Sequence, residues 1–104
     1  MITVLVPYLN TEKYITETLE GLLSQTYKDF NVLCIDNCSE DNSRDIVERY
    51  AASDSRFRSI EFLHKGKSLA LNHAINSCDS KWLAICDADD VWLPTKLEKQ
   101  VNYI

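Results

Sequence analysis

Glycine and proline are scarce: two of each stand in 104 residues. A chain so poor in both is neither a low-complexity segment nor a flexible linker. It also cannot carry the glycine-rich phosphate loops. A dinucleotide fingerprint needs three glycines after a first strand, and the segment 6–13 contains none. "GKS" at Gly66–Ser68 has the look of a P-loop tail, but its required first glycine falls on Glu61. The G-x-S-x-G elbow of a serine hydrolase is missing too.

Basic charge is in deficit. Eleven Lys and Arg face sixteen Asp and Glu, a net charge of −5. That balance disfavours nonspecific binding to nucleic acid or to anionic membranes. Long apolar runs are absent, so nothing here is long enough to span a bilayer as a helix. No basic stretch precedes "ITVLVP", which predicts a chain without a signal peptide. Cys34, Cys38, Cys78 and Cys86 form no C-x-x-C pair, which disfavours a zinc or thioredoxin-like site. Cys34 and Cys86 sit inside apolar runs and read as buried thiols. Together these features predict a reduced, cytoplasmic chain, long enough for one domain over 1–104.

What is present is an alternation. "ITVLV" (Ile2–Val6) and "NVLCI" (Asn31–Ile35) are short, apolar on consecutive positions and bounded by turns, as strands buried on both faces are. "FRSIEFL" (Phe57–Leu63) predicts a half-exposed strand, and "WLAIC" (Trp82–Cys86) a fourth strand. Between them lie helical patterns. Ile15, Leu19, Leu22 and Leu23 recur at helical spacing between Thr11 and Ser24, with Asn10 or Thr11 as cap. A second helix spans Ser43 to Ala52, and a third Ser68 to Ser77 with Leu69, Asn72, Ala74 and Ile75 on it. Pro94 suits the first position of a last helix, with Leu97 and Val101 facing inward. The order βαβαβαβα predicts an α/β fold: a Rossmann-like parallel sheet in the order 3-2-1-4, with helices on both faces.

In open sheets of this kind, ligands bind beyond the carboxyl ends of the strands. Three such ends are unusual here: "PYLN", "DNCS" and "DADD". In the order 3-2-1-4 their strands are adjacent, so the loops line one crevice. Asp87, Asp89 and Asp90 stand close together with no Lys or Arg nearer than Lys81 and Lys96. Carboxylates this close repel one another. On spacing alone they read as a turn with helix-capping aspartates, as ligands of Mg²⁺ or Mn²⁺ shared with substrate phosphates, or as an acid–base pair.

The segments "VLVPYLNTEKYITETLEGLLSQTYKDFNVLCIDNCSEDNS", "GKSLALNHAI" and "WLAICDADDVWLPTKLE" together resemble the N-terminal half of a family 2 glycosyltransferase of GT-A fold. The resemblance runs from Thr3 to the C-terminus. It implies transfer of a sugar from a metal-bound nucleotide diphosphate sugar, favouring a UDP-sugar, to an unknown acceptor with inversion. The products it implies are cell-surface polysaccharides or glycoconjugates, and the reaction belongs at the inner face of a membrane.

The D-x-D motif falls on Asp87-Ala88-Asp89. The resemblance implies that Asp87 faces the donor ribose and the metal shell. It gives Asp89 a Mn²⁺ or Mg²⁺ that bridges the diphosphate, with Asp90 beside it. The loop Pro7-Tyr8-Leu9-Asn10 matches P-x-Y-N, except that Leu9 replaces the aromatic and Tyr8 comes one place early. Asp36-Asn37 matches the loop that reads the base, with Asn37 where a second acid is usual. Lys65 and Lys67 are candidates to meet the diphosphate. His64 and His73 read as structural or exposed. The general base is expected beyond Ile104, in an acceptor half absent from this chain. Two other classes compete: a nucleotidyltransferase, and a donor-binding or assembly module without turnover. An unpaired sheet edge on the fourth strand also predicts self-association.

Overall fold

The computed structural model describes residues 2–62 and 66–102. Four strands, β1 (Ile2–Tyr8), β2 (Phe30–Asp36), β3 (Phe57–Glu61) and β4 (Trp82–Ile85), alternate with helices α1 (Ile15–Leu23), α2 (Ser43–Ser53), α3 (Lys67–Asn76) and α4 (Lys96–Val101). The sheet has the order β3-β2-β1-β4, and every pairing is parallel. Both expectations hold. The cause is the apolar content of β1 and β2. Every residue of β1 is buried, so both of its faces need helical cover.

The two faces are unequal. Val4, Val6, Phe30, Val32 and Cys34 meet Ile15, Leu19, Leu22, Val47 and Leu97, so α1, α2 and α4 share the larger core. Leu5, Leu33 and Ile35 meet Ala70 and Ala74 of α3, with Ile60, Phe62, Leu71 and Cys78 packed against them. Leu97 and Val101 face the core as the sequence predicts. Leu69 and Ile75 do not: they are 53% and 41% exposed. Small alanines set α3 close to β1 and β2, and the larger side chains on its flanks are left outside.

β2, β3, β4, α2 and α3 shift by one or two residues at one end or both, and three other boundaries move for a visible reason. β1 runs on to Tyr8, with Pro7 in register with Ile35. Pro7 stands beyond the last β1–β4 pair, Leu5 with Ile85, so its missing N–H removes no ladder bond. α1 begins at Ile15 rather than Thr11, after a turn in which the Thr11 carbonyl accepts from both Tyr14 and Ile15 N–H at 2.9 Å. Neither Asn10 nor Thr11 caps it with a side chain. α4 begins at Lys96, not at Pro94, because the Pro94 carbonyl accepts from Thr26 N–H at 2.8 Å instead of from its own helix. Leu63 and His64 lie outside the described residues.

Among the described residues no helix is long and apolar enough to cross a membrane. The buried thiols behave as read. Burial, reinforced by Cys86, pushes Cys34 up to about 12. Burial and then Asp90 do the same for Cys86, also to about 12. Neither is a nucleophile near neutral pH.

Candidate functional site

The loops after β1, β2 and β4 and the start of α3 enclose a crevice of about 550 Å³ at the carboxyl ends of the strands. Pro7 and Tyr8 line it from the end of β1, Leu9 from the loop after it, Asn37 from the loop after β2, Lys67 from α3, and Asp87, Ala88 and Asp89 from the loop after β4. The three unusual loops thus meet as the strand order requires. Thr11 and Gly66 also line it. Asn10, Asp36 and Asp90 are not in its lining.

The acidic loop is held from below. Ala88 is buried, and its carbonyl accepts from the Thr18 hydroxyl of α1 at 2.7 Å. That anchor turns Ala88 inward while Asp87 and Asp89 stay open to solvent. Gly21 of α1 makes the close approach possible: a β-carbon there would sit 3.3 Å from the Trp92 backbone nitrogen. None of the three aspartates caps α4: its N-cap residue, Thr95, makes no side-chain cap bond, and the Leu97 N–H of its first turn donates to Gln25 Oε1. The helix-capping explanation of the cluster therefore falls away, leaving a tight turn in which Asp90 N–H donates to the Asp87 carbonyl at 3.0 Å.

Part of the missing positive charge is Lys67. Its Nζ lies 2.5 Å from Asp87 Oδ1. Both side chains are about half exposed, so the pair is screened and easily opened. Asp89 and Asp90 have no ion pair among the described residues. No three His, Cys, Asp or Glu side chains among these residues close on a point that could hold a metal ion. Asp87 and Asp89 are nevertheless hard oxygen donors turned to one crevice. They suit a Mg²⁺ or Mn²⁺ that takes its remaining ligands from a substrate's phosphates. Lys65 lies outside the described residues.

Other candidates turn out to hold the loops. Asn10 adopts a left-handed backbone, φ 52°, and its Oδ1 accepts from Glu40 N–H at 2.7 Å and Asp41 N–H at 3.3 Å. Asp36 Oδ1 accepts from Ser39 N–H at 2.9 Å. Asp41 Oδ2 accepts from Glu12 N–H, and Ser43 Oγ from Thr11 N–H. The first two loops are thereby laced together. The Tyr8 ring is 2% exposed and packs in the larger core, where burial and then Asp36 push its hydroxyl well above the usual tyrosine range. Leu9, 45% exposed, is the side chain that projects.

Asn37 is different. It is 6% exposed, its N–H donates to the Tyr8 carbonyl, and its Oδ1 is buried with no partner. Thr11 Oγ1 shares that condition. Buried polar atoms without partners are rare in folded chains and cost roughly 1–3 kcal/mol each. Sequence reasoning missed Thr11 because its spacing fits a helix cap.

Cys38, between these loops, is also left-handed, φ 70°. Glycine takes that conformation without strain, so Cys38→Gly is expected to stabilise the fold by about 1 kcal/mol. Urea unfolding checks this, and an equal or lower midpoint would refute it.

Comparison with known proteins decides the family. The model of "Glycosyl transferase family 2" matches residues 3–104. The chain belongs to this family. It is 30% identical to the UDP-Glc:α-D-GlcNAc-diphosphoundecaprenol β-1,3-glucosyltransferase WfgD of Escherichia coli, covering 98% of the present chain and 40% of WfgD. TarS of S. aureus, residues 1–349 with UDP-GlcNAc, superposes with a TM-score of 0.88 at 29% identity, over 99% of this chain and 30% of that one. The Pyrobaculum calidifontis mannosyltransferase PcManGT, with GDP-Man and Mn²⁺, gives 0.80 at 30% identity, over 88% and 28%. The fold is thus the N-terminal part of a GT-A glycosyltransferase. The chain spans well under half the length of the relatives it matches.

Proposed function

We propose that this family 2 domain binds a nucleotide diphosphate sugar, a UDP-sugar by preference, and delivers the sugar to an acceptor hydroxyl with inversion. One observation carries the reading. A single crevice joins outward carboxylates, Asp87 and Asp89, to a lysine, Lys67, and to an unpartnered amide carbonyl, Asn37. The first two groups suit a diphosphate with its cation, and the third suits a base edge. TarS with UDP-GlcNAc and PcManGT with Mn²⁺ support the donor class and the metal.

In this reading Asp87 exchanges Lys67 for the donor, and the freed ammonium turns to the diphosphate. Asp89 holds the other side. A bound Mg²⁺ or Mn²⁺ supplies neutralisation of the charge that develops on the departing nucleoside diphosphate. Asn37 accepts from a base N–H, more weakly than a carboxylate would. The acceptor's proton goes to a carboxylate outside these residues, so the 104-residue chain alone binds donor without transferring sugar. The reaction would run on the cytoplasmic side and serve cell-surface polysaccharide or glycoconjugate synthesis, the latter in keeping with the diphosphoundecaprenol-linked acceptor in WfgD's name.

A nucleotidyltransferase is disfavoured, since "PYLNTEK" offers no glycine-rich loop to a triphosphate. Calorimetry tests the proposal. UDP is expected to bind more tightly with Mn²⁺ than with chelator, and Asp89→Ala is expected to erase the difference. Equal affinity of the unaltered chain in both buffers would sink the metal role.

A further inference from the structure

Thr18 stands in the middle of α1, buried beneath the acidic loop. A threonine inside a helix commonly returns its hydroxyl proton to the carbonyl four residues back. For Thr18 that carbonyl belongs to Tyr14, at 3.3 Å, and it already accepts from Thr18 N–H at 3.2 Å. The shorter bond runs out of the helix, to the Ala88 carbonyl at 2.7 Å. A hydroxyl carries one proton, and the nearer, unshared acceptor takes it. Ala88 is buried too, and no other group among the described residues donates to its carbonyl. The loop is otherwise tied at its ends. Cys86 N–H donates to the Leu5 carbonyl at 2.9 Å, which joins its start to β1. Past its end, the Trp92 backbone lies close to Gly21, and Gln25 Nε2 holds the Leu93 carbonyl. Between those ties the backbone bonds to the helical layer through Thr18, at the residue that separates Asp87 from Asp89.

We infer that Thr18 is a positioning residue: its hydroxyl sets the 88–89 peptide so that Asp87 and Asp89 aim together at the cation and the diphosphate. The inference rests on the proposed nucleotide-sugar function and adds to it a residue that touches neither donor nor metal. The peptide is trans and planar, so fixing the Ala88 carbonyl fixes the Asp89 Cα with it. Asp87 follows through the turn bond from Asp90 N–H to its own carbonyl. Two carboxylates on an untethered loop repel one another and swing apart. Lys67 does not hold them in place, because its pair with Asp87 is about half exposed and leaves Asp89 untouched. The buried bond from Thr18 is therefore what keeps both acids facing one crevice before a ligand arrives.

The arrangement has a signature that a merely structural threonine would not show. Thr18→Val keeps the shape and loses the proton; Thr18→Ser keeps the hydroxyl. Each is titrated with UDP in Mn²⁺ and in chelator, and unfolded in urea without ligand. The quantity read is the ratio of the two UDP affinities. A threonine that served folding alone would lower stability, or weaken UDP in both buffers alike, and leave the ratio unmoved. Thr18→Val is expected to lower the ratio about tenfold, the scale on which groups that orient metal ligands act. UDP binding in chelator should stay as it was. Thr18→Ser should restore the ratio. An unchanged ratio in Thr18→Val overturns the inference, as does a Thr18→Ser chain that loses as much as Thr18→Val. If Thr18→Val does not fold, Thr18→Ala against Thr18→Ser makes the same comparison, with the same tenfold difference expected and an equal ratio overturning it. An unaltered chain that binds UDP equally in both buffers sinks the metal role itself, and the role of Thr18 with it. A Mn²⁺ gain that persists in every Thr18 variant sinks the role of Thr18 alone.

Discussion

Gln25→Leu is expected to cost about 3 kcal/mol of folding stability and to lower the melting midpoint by on the order of 15 °C. Gln25 is fully buried just past the end of α1. Its Nε2 donates to the Gly21 carbonyl at 3.1 Å and to the Leu93 carbonyl at 2.8 Å. Its Oε1 accepts from Leu97 N–H at 3.0 Å. The amide orientation is fixed by its partners, since a backbone N–H can only donate and a carbonyl can only accept. One side chain therefore ties α1 to the segment after the acidic loop and to the first turn of α4. Leucine fills similar space but leaves Leu97 N–H buried without a partner and strips the Gly21 and Leu93 carbonyls of their part-buried bonds. Each such orphan costs roughly 1–3 kcal/mol, against a total stability of about 5–15 kcal/mol for a domain of this size. Thr26 braces the same junction through Pro94 and Glu98, but from an exposed position that water can replace. The loss should reach the crevice too, because the segment that Gln25 holds continues directly from Asp89 and Asp90. Urea unfolding measures the effect. A change below about 0.5 kcal/mol, the scale of an ordinary surface substitution, would show that the tie is dispensable.

Gln25 also shows where sequence reading runs out. The strand order was legible because β1 and β2 are apolar at consecutive positions, and only a sheet covered on both faces accommodates that. The meeting of "PYLN", "DNCS" and "DADD" followed from the order. What a polar side chain does inside these loops was not legible. Asn10 stands in a segment matching a donor-binding pattern, yet its carbonyl is spent on Glu40 and Asp41 N–H. Asp36 is spent on Ser39. Tyr8 lines the crevice, but the strand runs on through Pro7 and the Tyr8 ring packs in the core with Val4 and Val6. Thr11 was read as a helix cap on its spacing, and Gln25 went unnoticed because the partners of an amide come from segments remote in the chain. Lys67 was found by position, but its pairing with Asp87 depends on where α3 starts relative to β4.

The two edges of the sheet give the last expectation: this chain self-associates through β4, and Ile85→Lys restores a monomer. The outer edge of β3 is guarded. Arg58 and Glu61 stand exposed on it, and charges on an edge strand discourage pairing with another chain. β4 has no charge between Lys81 and Asp87. Trp82, Leu83 and Ile85 are 42%, 38% and 53% exposed. The register aligns Leu83 with Thr3 and Ile85 with Leu5, which places them on the face that α3 covers. But α3 packs over β1 and β2, so its cover stops short of β4. Among the described residues, no strand pairs with the far side of β4. An apolar strand with one open edge and one open face is a template for a second copy of itself. Sedimentation over a range of concentrations should show mass rising above that of one chain. Ile85→Lys should abolish the rise while leaving the circular dichroism unchanged, since its side chain is already more than half exposed. A monomer at every concentration would refute the expectation. So would an Ile85→Lys chain that associates as before, which would place the contact elsewhere. The matched relatives continue well beyond the region shared with this chain, and in them the same strand edge has further chain at hand to cover it. In a longer protein the charge introduced at Ile85 would then destabilise the fold rather than free a monomer, so the sign of its effect on stability reports whether the β4 edge is covered.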